Sequence, residues 1–234
     1  MKCSNISWME VRSEMAARVV RARRNVVVKA LRTGPLHQLC GELQVWRADA
    51  DLKLLEKAKG AALVLPFVKG LRLSSQLIYI LRKELSGLEH IEVDWGHLLD
   101  EDGDSCSPEC DVIIHRCGHV AEWDGSKETV MHFKFINRGC ALAVVSCKSF
   151  VEGVDLKYAK SLQPYVRHIF FFAECCEPRK VDSLRTAAKK AGYAGFGYLY
   201  TYNRETGETA TDPKEWEIFF DKVASTVKKA AKKK

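Results

Sequence analysis

The chain has 234 residues, of which 47% are hydrophobic, and it carries a formal net charge of +7. This length predicts one α/β domain with an appendage, or two small domains, and allows a substantial core. No run of 18 or more apolar residues occurs, which excludes a transmembrane helix, and the first 40 residues lack the apolar segment of a signal peptide. Nine scattered cysteines favour reduced thiols. We therefore expect a cytoplasmic protein that does not enter a membrane.

The positive charge is concentrated at the two ends of the chain. Residues 1–34 carry a net charge of +6, and residues 35–227 carry −4. The last seven residues add five lysines, Lys228, Lys229, Lys232, Lys233 and Lys234. These lysines predict contacts with the phosphates of a nucleic acid, because such contacts are electrostatic. The alternative is that they form a solvated chain end.

The first 70 residues predict a helical extension. Residues 7–32 and 36–59 have the apolar spacing of helices, and Gly34 and Gly60 follow their ends. Two helices of this length suit a homo-oligomer contact or a contact within a larger complex. Packing against the rest of the chain is the alternative.

Residues 71–234 predict an α/β domain with a mixed central β-sheet flanked by helices and a lysine tail. Helices are expected at residues 71–85, 155–166, 178–192 and 213–229. Strands are expected at residues 90–99, 110–115, 129–136, 141–149, 167–176 and 195–203. Strands and helices alternate after residue 140, which predicts parallel connections in that half of the sheet.

Two of these strands are apolar and β-branched, and each carries charged residues at one end. Asp111 begins the earlier strand and shares a face with Glu109, whereas Ser146 and Lys148 share a face of the later one. A buried strand has no structural use for such charges. If the strands are neighbours, a carboxylate, a hydroxyl and an ammonium converge, and the group can hold a divalent cation and orient a water. The alternative is a turn-capping Asp111 and a snorkelling Lys148.

In this order, these residues resemble the motif of the PD-(D/E)XK nuclease superfamily, the restriction-endonuclease-like fold. The family's order is helix, strand, Asp-bearing strand, (D/E)xK strand, helix, strand, and the resemblance covers roughly residues 71–203. Asp111 matches the family's Asp, and Lys148 matches its lysine. Ser146 stands in place of the first acid of (D/E)xK, and the helical acid that often completes the site falls near Gln76.

The resemblance implies a metal-dependent DNA endonuclease of a bacterial defence or mobile-element system. Asp111 would ligate Mg²⁺ or Mn²⁺, Lys148 would orient a water or stabilise developing charge, and Ser146 would supply a neutral oxygen. Glu109, or secondly Glu152, would replace the missing acid. A degenerate nuclease fold that binds nucleic acid or a partner without cutting is one alternative. An unrelated α/β protein is the other.

Cysteine and histidine residues near these strands form a weaker metal motif. The spacing of Cys106, Cys110, Cys117 and His119 matches no paired zinc knuckle. His115, His119 and His132 are expected to be structural or surface residues rather than ligands.

Overall fold

The computed structural model describes residues 66–116, 119–123, 133–206, 208–210 and 212–232. The helices predicted at residues 7–32 and 36–59 lie outside these residues, as do Cys117, His132, Lys233 and Lys234. The helical extension and its proposed contacts therefore stay predictions.

The described residues form one mixed β-sheet of eight strands. In chain order, the strands are β1 (Ile91–Leu99), β2 (Cys110–Arg116), β3 (His119–Trp123), β4 (Phe133–Asn137), β5 (Ala141–Val151), β6 (Ile169–Cys176), β7 (Gly195–Tyr202) and β8 (Thr209–Ala210). Their order across the sheet is β3-β4-β1-β2-β5-β6-β7-β8. Strand β2 is antiparallel to β1 and β5, whereas β5, β6 and β7 are parallel to one another. The expected mixed sheet, with parallel connections after residue 140, is confirmed.

The helices are α1 (Pro66–Glu84), α2 (Leu156–Leu162), α3 (Val181–Lys190) and α4 (Pro213–Ala231). Helix α1 begins before the expected start and continues through Gly70, so the predicted division of the chain at residue 70 falls within a helix. Helix α2 ends earlier than expected because Pro164 has no backbone N–H to donate. Among the described residues, no helix is both long and apolar enough to cross a membrane.

Helices cover both faces of the sheet, and each face has its own apolar core. The first face packs against α1 and α4, with Leu77, Val145 and Phe219 in one buried cluster. The second face packs against α2 and α3, with Ile113 and Leu184 in another. All eight residues of β6 are buried, which explains why all of them but Glu174 are apolar, without alternation.

A substitution at Gly96 tests the pairing of β1 with β4. Gly96 lies at an irregularity of β1 with a φ of 150°, and a Cβ there would overlap the carbonyl oxygen of its partner Lys134. We expect Gly96→Ala to lower the free energy of unfolding by about 2–3 kcal/mol, because neighbouring backbone must move. Gly87→Ala, where a Cβ meets nothing within 4 Å, should change it by less than about 0.5 kcal/mol. Urea unfolding followed by circular dichroism measures both, and equal losses would contradict this packing.

Candidate active site

The pairing of β2 with β5 brings the predicted site residues together. Val112 pairs with Val145 and Ile113 with Val144. Continued by one residue, this antiparallel register places Asp111 opposite Ser146, with both side chains on the second face of the sheet. Ser146 is 1% exposed, whereas Lys148, two residues further along the same face, is exposed. We call Asp111, Ser146 and Lys148 the Asp111 group.

The Asp111 carboxylate is fixed against β5. Its Oδ2 accepts a hydrogen bond from the backbone N–H of Cys147 at 2.8 Å. Burial raises the pKa of Asp111, while the Cys147 N–H and the positive charge of Lys148 act in the opposite direction and the charge of Glu109 adds to the rise. Asp111, Lys148 and Glu109 therefore lie within electrostatic reach of one another.

Two tyrosines beside the Asp111 group were not predicted as site residues. The Tyr158 hydroxyl donates to the carbonyl oxygen of Glu109 at 3.2 Å, and the Tyr193 hydroxyl donates to that of Asp155 at 3.0 Å. Tyr193 also interacts with the Ser146 hydroxyl. Burial is the largest cause of the raised pKa of each tyrosine, so both stay protonated at neutral pH. The available sequence signal was the position of Tyr158 three residues after the helix cap at Asp155, in the first turn of α2. The Asp155 carboxylate accepts from the N–H groups of residues 157 and 158.

The other acidic and polar candidates occupy different positions. Glu109 is exposed, and its charge acts on the Asp111 carboxyl. Glu152 instead pairs with Arg204, at 2.6 Å between Oε1 and Nη1. Gln76 is buried on α1, which covers the first face, and its amide nitrogen has no hydrogen-bond partner within the described part of the chain. Of these three residues, Glu109 is the one that the structure brings to Asp111.

The lysines near the chain end lie at the opposite end of the central strands from the Asp111 group. Arg116, the last residue of β2, donates from Nη2 to the carbonyl oxygens of Ala230 and Ala231 at the end of α4. Arg116 and Asp111 are five residues apart on β2, a separation of about 17 Å. The last turn of α4 contains Lys228 and Lys229, and Lys232 is its C-terminal cap. These three lysines therefore lie at that far end.

A group of three metal-ligand side chains also lies away from Asp111. Within the described ranges, Glu92, Asp94 and His115 are the one set of three or more such groups whose ligand atoms approach within 4.8 Å of one another. Burial alone would raise the pKa of Asp94, but the hydrogen bond with His115 and the positive charges of Arg82 and Lys134 hold it below its usual value. Cys110, one of the four residues of the zinc motif considered above, is buried beside Ser107.

Comparisons with known proteins found similar solved structures but neither a matching family model nor a matching curated protein. The chain is similar to NucC of P. aeruginosa ATCC27853 in its cAAA-bound form, with 13% identity, a TM-score of 0.49 and coverage of 97% of this chain and 93% of that chain. It is similar to NucC of E. coli MS115-1 in its cAAA-bound form, with 10% identity, a TM-score of 0.47 and coverage of 98% and 93%. The apo form of the latter gives 10% identity, a TM-score of 0.42 and coverage of 77% and 89%.

The raised pKa of Asp111 predicts a pH-dependent effect of removing its charge. Because this pKa lies above the ordinary value of 3.8, protonation of Asp111 stabilises the fold below that value, and the contribution is lost as the pH rises through the raised pKa. Asp111→Asn keeps a hydrogen-bond acceptor for the Cys147 N–H but carries no charge. We expect the difference in Tm between Asp111→Asn and the wild type to increase as the pH rises from 3.8 through the raised pKa of Asp111. Above that pKa the difference should level off. Thermal melts between about pH 3 and pH 8 measure the difference.

The control for this experiment is Glu89→Gln, which removes an exposed carboxylate. Its Tm difference from the wild type should stay nearly constant over the same pH range, because an exposed carboxyl changes little on folding. A constant difference for Asp111→Asn as well would contradict the burial of the Asp111 carboxylate.

Proposed function

We propose that the chain is a divalent-metal-dependent DNA endonuclease that hydrolyses phosphodiester bonds at the Asp111 group. The observation that carries this proposal is the placement of Asp111 and Lys148 on one face, at the same end of two adjacent central strands. The order α1, β1, β2, β5, α2, β6 follows the helix and strand order of the PD-(D/E)XK family, with β3 and β4 between the two motif strands. The setting in a defence or mobile-element system stays a prediction.

The oxygen atoms of Asp111 and Glu109 suit a hard cation such as Mg²⁺ or Mn²⁺. Oδ2 of Asp111 is bound by the Cys147 N–H, and no hydrogen bond to Oδ1 occurs within the described residues. One carboxylate oxygen therefore remains for an ion, and Glu109, on the solvent side, would supply the second anionic ligand. When bound, such an ion lowers the pKa of a coordinated water and neutralises charge on the phosphate.

Lys148 and the two tyrosines have separate roles in this proposal. Lys148 is exposed three residues before the end of β5, where its ammonium would stabilise the negative charge that develops on the phosphate oxygens or orient the attacking water. Tyr158 and Tyr193 hold the backbone carbonyls of Glu109 and Asp155. They are thus positioning residues, because their hydroxyl protons are engaged in fixing the segments that flank the Asp111 group.

A second candidate function is nucleic-acid binding without hydrolysis. It is favoured by Ser146, which is buried at the position of the family's acid and interacts with Tyr193. A serine hydroxyl carries no charge, and hard cations depend on anionic oxygens. If Glu109 does not serve as a ligand, the site has one carboxylate and its metal affinity is correspondingly weak.

The charge at the far end of the central strands supports a polyanionic ligand in either case. A groove of about 350 Å³ opens there, lined among others by Arg167, His168 and Lys229. DNA that reached both this groove and the Asp111 group would have to span at least the length of β2, about 17 Å, or five base pairs. We therefore expect the lysines at the end of α4 to add affinity for DNA rather than to take part in the hydrolysis.

The endonuclease activity predicts the effect of two substitutions on plasmid nicking. Asp111→Ala and Lys148→Met should each lower the nicking rate with Mg²⁺ or Mn²⁺ by about 100-fold or more, because each removes a group that stabilises charge in the transition state. Lys160→Met, which removes an exposed charge from α2, should leave the rate within about twofold. Circular dichroism melts show whether each variant is folded.

Outcomes of this assay separate the two candidate functions. Undiminished cutting by folded Asp111→Ala removes Asp111 from the mechanism. If the wild type binds DNA but does not nick it with either ion, binding without hydrolysis takes the place of the endonuclease. A calorimetric Mg²⁺ or Mn²⁺ titration of the wild type and Glu109→Gln then tests the second ligand, since loss of a carboxylate ligand weakens binding.

Neutralising the lysines tests their contribution to DNA affinity. We expect the combined substitution Lys228→Gln, Lys229→Gln and Lys232→Gln to weaken binding to all sequences similarly, because phosphate contacts carry no sequence information. The slope of log K against log salt should fall by up to about 0.9 for each phosphate that the variant no longer neutralises. These substitutions keep the Ala230 and Ala231 carbonyls that Arg116 binds. Fluorescence anisotropy at several salt concentrations measures the slope, and an unchanged slope would make the lysines a solvated chain end.

A further inference from the structure

Glu92, Asp94 and His115 form a cluster of ligand-type side chains on β1 and β2, which we call the His115 cluster. Glu92 pairs with His115 across the two strands, and Asp94 lies two residues along β1 on the same face. The Nε2 atom of His115 is 3.0 Å from Oδ2 of Asp94 and 4.0 Å from Oε2 of Glu92. His115 is four residues from Asp111 on β2, about 13 Å. The cluster is thus separate from the Asp111 group.

Both ring nitrogens of His115 face oxygen acceptors. Nδ1 lies 2.7 Å from the carbonyl oxygen of Arg116, and because a carbonyl oxygen only accepts, Nδ1 carries a proton. In the neutral ring, Nε2 then presents a lone pair to the carboxylates of Asp94 and Glu92. The side chain is 0% exposed. A metal ion between Nε2 and the two carboxylates would take this lone pair.

The distances in the His115 cluster suit a tetrahedral metal ion. Zinc bonds of about 2.0–2.2 Å to nitrogen and carboxylate oxygen place neighbouring ligand atoms roughly 3.4 Å apart. The two measured distances from Nε2, 3.0 and 4.0 Å, lie on either side of that value. One imidazole and two carboxylates are also a ligand set that zinc accepts, with a fourth position left for water. Glu92, whose side chain is 39% exposed, gives the cluster access to solvent.

Contacts behind the cluster orient two of its three ligands. The proton on Nδ1 of His115 goes to a backbone carbonyl, which is the usual partner of the second nitrogen of a metal-bound histidine. Arg82 donates from Nη2 to Oδ1 of Asp94 at 2.7 Å and from Nε to the carbonyl oxygen of Val93 at 2.8 Å. Asp94 is thereby held with Oδ2 directed at His115. Such contacts fix a ligand set before the ion arrives.

The geometry points to a zinc-class divalent metal site formed by Glu92, Asp94 and His115, which ties β1 to β2 and is independent of the Asp111 group. The ion takes the Nε2 lone pair of His115 and the facing oxygens of both carboxylates. This assignment departs from the expectation that His115 is structural. The reason is that strand pairing aligns His115 with two acids that precede it by more than twenty residues in the chain.

The test is titration of the full chain, freed of metal by a chelator, with Zn²⁺ in a calorimeter and with Co²⁺ in a spectrophotometer. We expect Zn²⁺ to bind and to raise the Tm by several degrees, because the folded state binds it preferentially. Co²⁺ should give the visible absorption of a tetrahedral site. Glu92→Gln should weaken Zn²⁺ binding at least tenfold and remove that absorption, while His115→Gln should abolish both. Glu89→Gln, an exposed neutralisation two residues before β1, should change neither.

Asp111→Asn distinguishes this site from the Asp111 group. It should retain the Co²⁺ absorption and the rise in Tm with Zn²⁺, whatever the outcome of the nicking assay. The proposal is overturned if the wild type binds no Zn²⁺. It is also overturned if Zn²⁺ binds equally well to the wild type and to Glu92→Gln, whose exposed position leaves folding intact, or if binding is lost in Asp111→Asn.

Discussion

The position of β5 between an antiparallel neighbour, β2, and a parallel neighbour, β6, is the constraint on which the candidate site depends. Both faces of β5 are covered by helices, so the residues from Leu142 to Cys147 are buried and alternate between the two faces of the sheet. Ser146 is still buried, whereas Lys148 is exposed. The same register sets Asp111 against this transition, and the hydrogen bond from Cys147 to its carboxylate fixes the alignment. A slip of one residue would turn Asp111 and Lys148 to opposite faces.

This placement has an energetic cost that is informative about function. Burial raises the pKa of Asp111, which means that the fold disfavours its charged form, and Lys148 and the Cys147 N–H offset only part of that effect. An asparagine would keep the hydrogen bond without the charge. A destabilised carboxylate beside an exposed ammonium is a common feature of sites that carry chemistry, where stability is given up for reactivity.

Strand β2 connects three regions of different chemistry. Its first end carries Asp111, His115 near its other end faces the two acids of β1, and Arg116 binds the end of α4. The proposed function of each region follows from the side-chain atoms that it offers to a ligand. Asp111 and Glu109 offer oxygen atoms as ligands and suit a hard cation, whereas the His115 cluster includes an imidazole and suits zinc. The lysines at the end of α4 are proposed to act through charge alone.

The sequence by itself determined the mixed sheet and the order of the helices and strands after residue 71 other than β3 and β8, because apolar periodicity and β-branched runs are local signals. It left open whether the strands of Asp111 and Lys148 are neighbours, because that pairing joins distant parts of the chain. It did not determine that α1 runs through Gly70, since packing of a long helix outweighs the cost of one glycine. Only the tertiary structure decided that Glu152 pairs with Arg204, that Gln76 is buried on the helix that covers the first face of the sheet, and that Tyr158 and Tyr193 flank the Asp111 group. The His115 cluster was likewise set by register, because pairing β1 with β2 joins residues whose spacing in the chain matches no motif.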